Sequence, residues 1–123
     1  MNRIFVKCGM NKVYAKIVEK NPLTAESILK NLPLKGRAMQ WGEEYYFYTD
    51  LEIKEENSQT EMEIGDIAYW PKGKAICIFL GETPIGEGKP KAISPVNLFA
   101  KLEDKIKIKI EIEEGEEIII GMA

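Results

Sequence analysis

The hydrophobic pattern of this chain repeats every second residue along most of its length, the period of strands that bury one face. Ile67 and Tyr69, then Ile76, Ile78 and Leu80, alternate on either side of Pro71 and Gly73. That predicts two strands around a tight turn in which Gly73 takes a positive φ, closed by Gly81 and the Thr83-Pro84 corner. Arg3 to Cys8 and Lys12 to Glu19 read as a first hairpin turned at Gly9-Met10-Asn11, with Val13, Ala15 and Ile17 on one face. Further strands are expected at 36–41, 44–49, 61–70, 74–80, 96–102, 105–113 and 116–121. In 105–113, KIKIKIEIE, the alternation is unbroken and directs Ile106, Ile108, Ile110 and Ile112 inward.

One stretch changes period. Ala25, Ile28, Leu29 and Leu32 follow the spacing of a buried helical face, with Thr24 as its cap, Glu26 in its first turn and Pro33 as its stop. Between the elements, 54–60 reads as a polar loop and 86–95 as a longer one whose glycines and prolines argue against regular structure. These periods predict a mainly β fold, a closed antiparallel β-barrel of about eight strands with one or two short helices over an open end. They form one domain over 1–123.

Composition removes whole classes of chemistry. A chain of 123 residues with 45% apolar side chains can bury a core without disulfides or metal. Histidine is absent, which excludes Ser-His and Cys-His nucleophiles and leaves no expected metal site or cofactor. Cys8 and Cys77 lie in apolar strand contexts and read as free buried thiols. The 17 basic residues are scattered among 20 acidic ones for a net charge of -3, so neither nucleic acid nor a membrane is expected as a partner. No signal peptide or membrane-spanning run is legible, which predicts a cytoplasmic protein. The 30% of charged residues, rich in Lys and Glu, is a composition enriched in thermophiles.

Candidate chemistry is sparse. The glycines do not lead a strand into a helix N-terminus, so no phosphate loop exists. Glu43 and Glu44 are adjacent and point to opposite faces of a strand, which rules out a carboxylate dyad; they read as solvated glutamates, with one of them facing Arg37 across the sheet as the alternative. Asp66 reads as a turn residue, and Glu113 to Glu117 as a solvated hairpin turn. Trp41 and the pair Tyr69-Trp70 are large aromatics at strand ends, able to line a groove or to fill the mouth of a barrel.

The order of a hairpin, a helix ending in Leu-Pro, then WGEEYYF, GDIAYWPKG, CIFLGETP and SPVNLFAKL resembles the small prokaryotic cyclophilin-like proteins from Ile4 to about Ile120. The resemblance extends to the prolyl isomerases themselves. Arg37, Met39 and Gln40 stand in the order of the family's arginine, methionine and glutamine, more tightly spaced, and Phe79 matches its pocket phenylalanine. Val96 stands where the family's histidine belongs, and Pro71 to Lys74 replaces its N-G-S-Q turn. The resemblance therefore implies a groove in which Arg37 is the catalytic candidate and Gln40, Trp41, Tyr69, Phe79 and Asn97 contact a ligand. The expected ligand is a peptide segment or a small molecule. The alternatives are a weak peptidyl-prolyl isomerase acting through Arg37, and an assembly subunit, such as a homodimer, that buries its aromatic rim.

Overall fold

The computed structural model describes residues 2–103 and 110–123. Its strands are β1 (Arg3–Cys8), β2 (Asn11–Ile17), β3 (Leu34–Arg37), β4 (Met39–Trp41), β5 (Glu44–Tyr48), β6 (Gln59–Glu61), β7 (Asp66–Trp70), β8 (Ala75–Phe79), β9 (Lys91–Leu102) and β10 (Glu117–Met122). A single helix, α1 (Pro22–Lys30), lies between β2 and β3 among the described residues. Every ladder is antiparallel, and the path runs β3-β10-β1-β2-β9-β7-β8-β5-β4, with β6 paired to β9.

The fold is mainly β as expected, but among the described residues the sheet is not closed into a barrel and has ten strands where about eight were expected. Both differences arise where a predicted strand breaks. The stretch 36–41 divides at Ala38, whose N–H donates to the Glu116 carbonyl at 2.7 Å and whose carbonyl accepts from Gly115 N–H at 2.7 Å. Its first half thus pairs with β10 and its second with β5, leaving β3 and β4 as the two ends of the path. The stretch 61–70 breaks at a turn that Gly65 enters with φ 96° and that Asp66 fixes by accepting Glu63 N–H at 2.8 Å.

Two further expectations change. Residues 91–95, read as loop, open β9, because β6 pairs beside them and Pro95 falls where that ladder is irregular. The strand expected over 105–113 lies largely outside the described residues. At its end, 110–113 carry no ladder, although Ile110 and Ile112 are buried in the core.

The helix begins earlier than predicted. Asn21 precedes it without a side-chain cap, Pro22 opens it, and Thr24 falls inside its first turn. The acid at this N-terminus comes from 32 residues away and not from Glu26: the Glu56 carboxylate accepts Leu23 N–H at 3.1 Å, Thr24 N–H at 3.0 Å and the Thr24 hydroxyl at 2.8 Å. Asn97, fully buried, ties this corner to β9. Its amide donates to Thr24 Oγ1 at 3.1 Å and to the Lys54 carbonyl at 2.9 Å, and its Oδ1 accepts Glu56 N–H at 3.1 Å. Ala25 and Ile28 then enter the main core, with Leu29 and Leu32 packed against it.

That main core fills the inner side of the sheet with Ile4, Val6, Ile67, Tyr69, Phe99 and Ile118, among others. A second, smaller core lies on the opposite side of β7, β8 and β9, where Met62 and Ala92 close over Ala68, Cys77 and Phe79. β7 and β8 are therefore apolar on both faces, the reason DIAYW and AICIF lack polar alternation.

The turn between them corrects one glycine. Lys74, with φ 50°, takes the left-handed conformation predicted for Gly73. Gly73 is required for space, since a Cβ there would stand 2.2 Å from the Trp70 indole.

Candidate functional site

The outer side of β4, β5, β8 and β7 is built from one register. Trp41 lies opposite Glu44, and Glu44 opposite Phe79; Met39 lies opposite Tyr46, and Tyr46 opposite Cys77. Tyr48 stands beside Ala75, whose other neighbour is Trp70. Period-two geometry carries all of these side chains to the same face of the sheet. The short turn at Gly42, with φ 62°, makes the pairing possible and packs so closely on the Glu82 carbonyl and Pro84 that a Cβ would meet both at 2.8 Å.

Phe79 and Cys77 are sealed beneath the second core, whereas the aromatic side chains at its edge remain partly open. Tyr46 stands edge-on to Tyr48 at 5.7 Å and to Trp70 at 6.2 Å between ring centroids. The Trp70 indole N–H donates to Ser94 Oγ at 2.6 Å, which fixes that ring. Met39 and Tyr48 are 37% and 57% exposed, and Trp41 is half-buried. The result is an apolar, aromatic surface with one acid at its base.

That acid is Glu44, only 5% exposed. Burial pushes its carboxyl up to about 7, opposed only by a hydrogen bond with the Cys77 thiol. Burial likewise drives Cys77 well above the ordinary thiol range, so Cys77 remains protonated and donates to the carboxylate. The Tyr46 hydroxyl is raised as well, first by burial and then by Tyr48 and Glu44. With its carboxyl raised toward neutrality beside edge-on rings, Glu44 can accept a hydrogen bond or a cation from a group that covers it.

The residues expected from the sequence fall in several places. Trp41 and Phe79 share the Glu44 face, with Phe79 inside it and Trp41 at its edge. Tyr69 lies on the other side of β7 in the main core, its hydroxyl donating to the Leu51 carbonyl at 2.6 Å. Asn97 is committed to the helix corner described above. Gln40 is exposed and bonds the Gly42 carbonyl at 3.0 Å. Arg37 is exposed at the end of β3, its guanidinium donating to the Gly115 carbonyl at 3.0 Å. Val96 is buried in the second core opposite Gln59. The structure thus brings together Trp41 and Phe79, and separates them from Tyr69 and Asn97.

Glu44 is the residue that sequence reasoning passed over as solvated. The available signal was its strand: EYYFY has no polar face, so an acid beginning it is covered on whichever side it points. Elsewhere, a cavity of about 400 Å³ opens beside Glu43, Tyr45, Leu80, Ile110 and Glu113. Among the described residues no group of three or more Cys, Asp or Glu side chains is arranged to hold a metal ion. No helix among them is long and apolar enough to cross a membrane.

Comparison with known proteins places this geometry. The profile of the family described as cyclophilin-like matches residues 2–121. The solution structure of a hypothetical protein from Archaeoglobus fulgidus is similar at a TM-score of 0.81 and 35% identity, over 99% of this chain and 95% of that one. No curated protein matches.

Proposed function

We propose that this chain, which belongs to the cyclophilin-like family, is a binding protein that takes a peptide segment or a small apolar molecule on the outer face of β4, β5 and β8. The observation that carries the reading is Glu44, a buried carboxyl set in an aromatic surface where a neutral side chain would make the fold more stable. Around it, Trp41, Tyr46 and Tyr48 offer the wide apolar contact, and Glu44 the single oriented polar group, that small binding sites combine. An amide N–H or an ammonium group on the ligand would add a stronger donor to the weak one that the Cys77 thiol supplies.

Both tryptophans of the chain, Trp41 and Trp70, lie on this face, so intrinsic fluorescence reports on it. Proline-containing peptides and small aromatic amides are titrated while Trp emission is followed. Saturable binding that Trp41→Ala abolishes, and whose pH dependence near 7 disappears in Glu44→Gln, supports the reading. A saturable ligand indifferent to Trp41→Ala, Tyr48→Ala and Glu44→Gln overturns it.

A weak prolyl isomerase is the second reading. It is favoured by the outward alternation of Arg37, Met39 and Trp41 around buried Ala38. It needs Arg37 to leave the Gly115 carbonyl for the prolyl nitrogen, and a protease-coupled isomerisation assay on Arg37→Ala decides it.

A further inference from the structure

The outer side of the other half of the sheet, β3, β10, β1, β2 and the end of β9, has a different character. Ile4, Val6, Ala15, Ile118 and Ile120 point into the main core, so their neighbours in sequence point out. These are Arg3 and Lys7 on β1, Lys12 and Lys16 on β2, and Glu117 and Ile119 on β10. Lys35 and Arg37 on β3 lie opposite Ile119 and Glu117, and Lys101 follows on β9. Glu117 is thus the one acid of β10 on this face, and it faces Arg37. The half-buried rings of Phe5 and Tyr14, opposite one another in register, lie among them. The Lys12 ammonium stands 4.4 Å from the Phe5 centroid and the Arg3 guanidinium 4.0 Å from that of Tyr14, so each ring lies under a cation.

Register makes this arrangement costly. Arg3 pairs with Lys16, Lys7 with Lys12, and Lys16 with Lys101, three like-charge pairs directly across the ladder. Arg3 is relieved by Glu103, and Lys101 by Glu63 and Asp66. Among the described residues no ion pair reaches Lys7, Lys12 or Lys35, and Lys16 has only the more distant charge of Glu103. β1 and β2 are interior strands, so these lysines do not guard an exposed edge. A chain of net charge -3 had acids to spare for these positions.

We infer that this face binds the phosphate backbone of single-stranded nucleic acid without reading its sequence. The net charge conceals the patch because the sheet gathers seven of the 17 basic residues on this side. The aromatic rings lie beneath cations and present no apolar wedge to a bilayer. A flexible string of phosphates can follow a twisted sheet that a flat membrane meets only along a line. The proposal is independent of the ligand face around Glu44.

Fluorescence anisotropy of a labelled oligouridylate tests it, on the wild type and on the triple variant Lys7→Ala, Lys12→Ala, Lys16→Ala. Binding is expected at about 50 mM salt, with affinity falling steeply as salt rises. The triple variant should bind at least about tenfold more weakly. Its salt slope should be shallower by about two, since each lost phosphate contact on a single strand removes roughly 0.7. Its melting temperature should equal or exceed that of the wild type, because the repulsive pairs are gone. No binding at low salt, equal binding by the variant, or binding only to phosphatidylserine vesicles overturns the proposal. A variant that melts lower than the wild type overturns its premise that the cation pairs oppose folding.

Discussion

The two outer faces of this sheet share one inner core and use their outward residues in opposite ways. On β7 and β8 the outward positions are Ala68, Trp70, Cys77 and Phe79, and a second core grows over them. On β1 and β2 the outward positions are Arg3, Phe5, Lys7, Lys12, Tyr14 and Lys16, and among the described residues no second core covers them. The same period-two alternation thus yields a strand buried on both sides in one half and a charged surface in the other. A polar group is exceptional only against its own face. A carboxylate under rings and a lysine opposite a lysine are therefore the places where stability has yielded to something else.

The largest test of this contrast compares two phenylalanines. Phe79→Ala, fully buried in the second core, should cost roughly 3 to 5 kcal/mol in denaturant unfolding. Phe5→Ala, half-buried beneath Lys12 on the cationic face, should cost about 1 kcal/mol. Equal losses would mean that the two faces are alike in burial and would remove the second core.

Glu44→Gln comes next, and its sign is opposite. Below the ordinary glutamate value of 4.5 the carboxyl is protonated in folded and unfolded chains alike, and wild type and variant should be equally stable. Between 4.5 and about 7 the unfolded chain ionises while the folded one keeps its proton, so wild-type stability falls as pH rises. Above that window the loss levels off at roughly 2 to 4 kcal/mol, which the variant should recover. Chemical unfolding at pH 4 and pH 8 measures it. A difference independent of pH would mean that burial does not hold the Glu44 proton.

A smaller effect separates space from conformation in the β7–β8 turn. Gly73→Ala should cost about 1 to 3 kcal/mol by driving a methyl into Trp70, although the backbone there is not left-handed. Lys74→Gly, at the position that is left-handed, should instead be neutral or stabilising by up to about 1 kcal/mol. The reverse ranking would return the positive φ to Gly73.

These cases mark how much could be read from the chain alone. The hairpin of β1 and β2, the helix face of Ala25 and Ile28, and the β7–β8 pair were legible, because each is a local alternation whose inner side the core then fills. The break at Ala38 was not, since its cause is the carbonyl of Glu116, distant in sequence. Nor was the helix cap, which Glu56 supplies through a loop that looks merely polar. Of the candidate site, Trp41 was legible as a large aromatic at a strand end and Phe79 only through the family resemblance; that they share one face appears only in the strand register. Tyr69 and Asn97 resembled ligand contacts because an aromatic and an amide on strands look alike whether they face a groove or a core. Glu44 was hidden by the assumption that acids face water, and the cationic patch by averaging charge over a chain that the sheet divides.

The smallest expected effect is none at all, and it bears on both halves of the sheet. Cys8 lies in the main core at the end of β1, while Cys77 lies in the second core on the far side of β8. The sheet itself stands between their thiols, so they cannot bridge within one molecule, and burial raises both above the range in which thiolates form, Cys8 to about 11. With histidine absent, a stabilising transition metal would have to be held by carboxylates, which Mg or Ca would contest. Melting curves taken with a chelator, with a reductant and with neither should therefore superimpose within about 1 °C, whereas 1 kcal/mol of lost stability would move them by several degrees. A fall with reductant would mean that the thiols pair between molecules, and a fall with chelator would mean that the acids around Glu43 and Glu113 hold an ion that contributes to the fold.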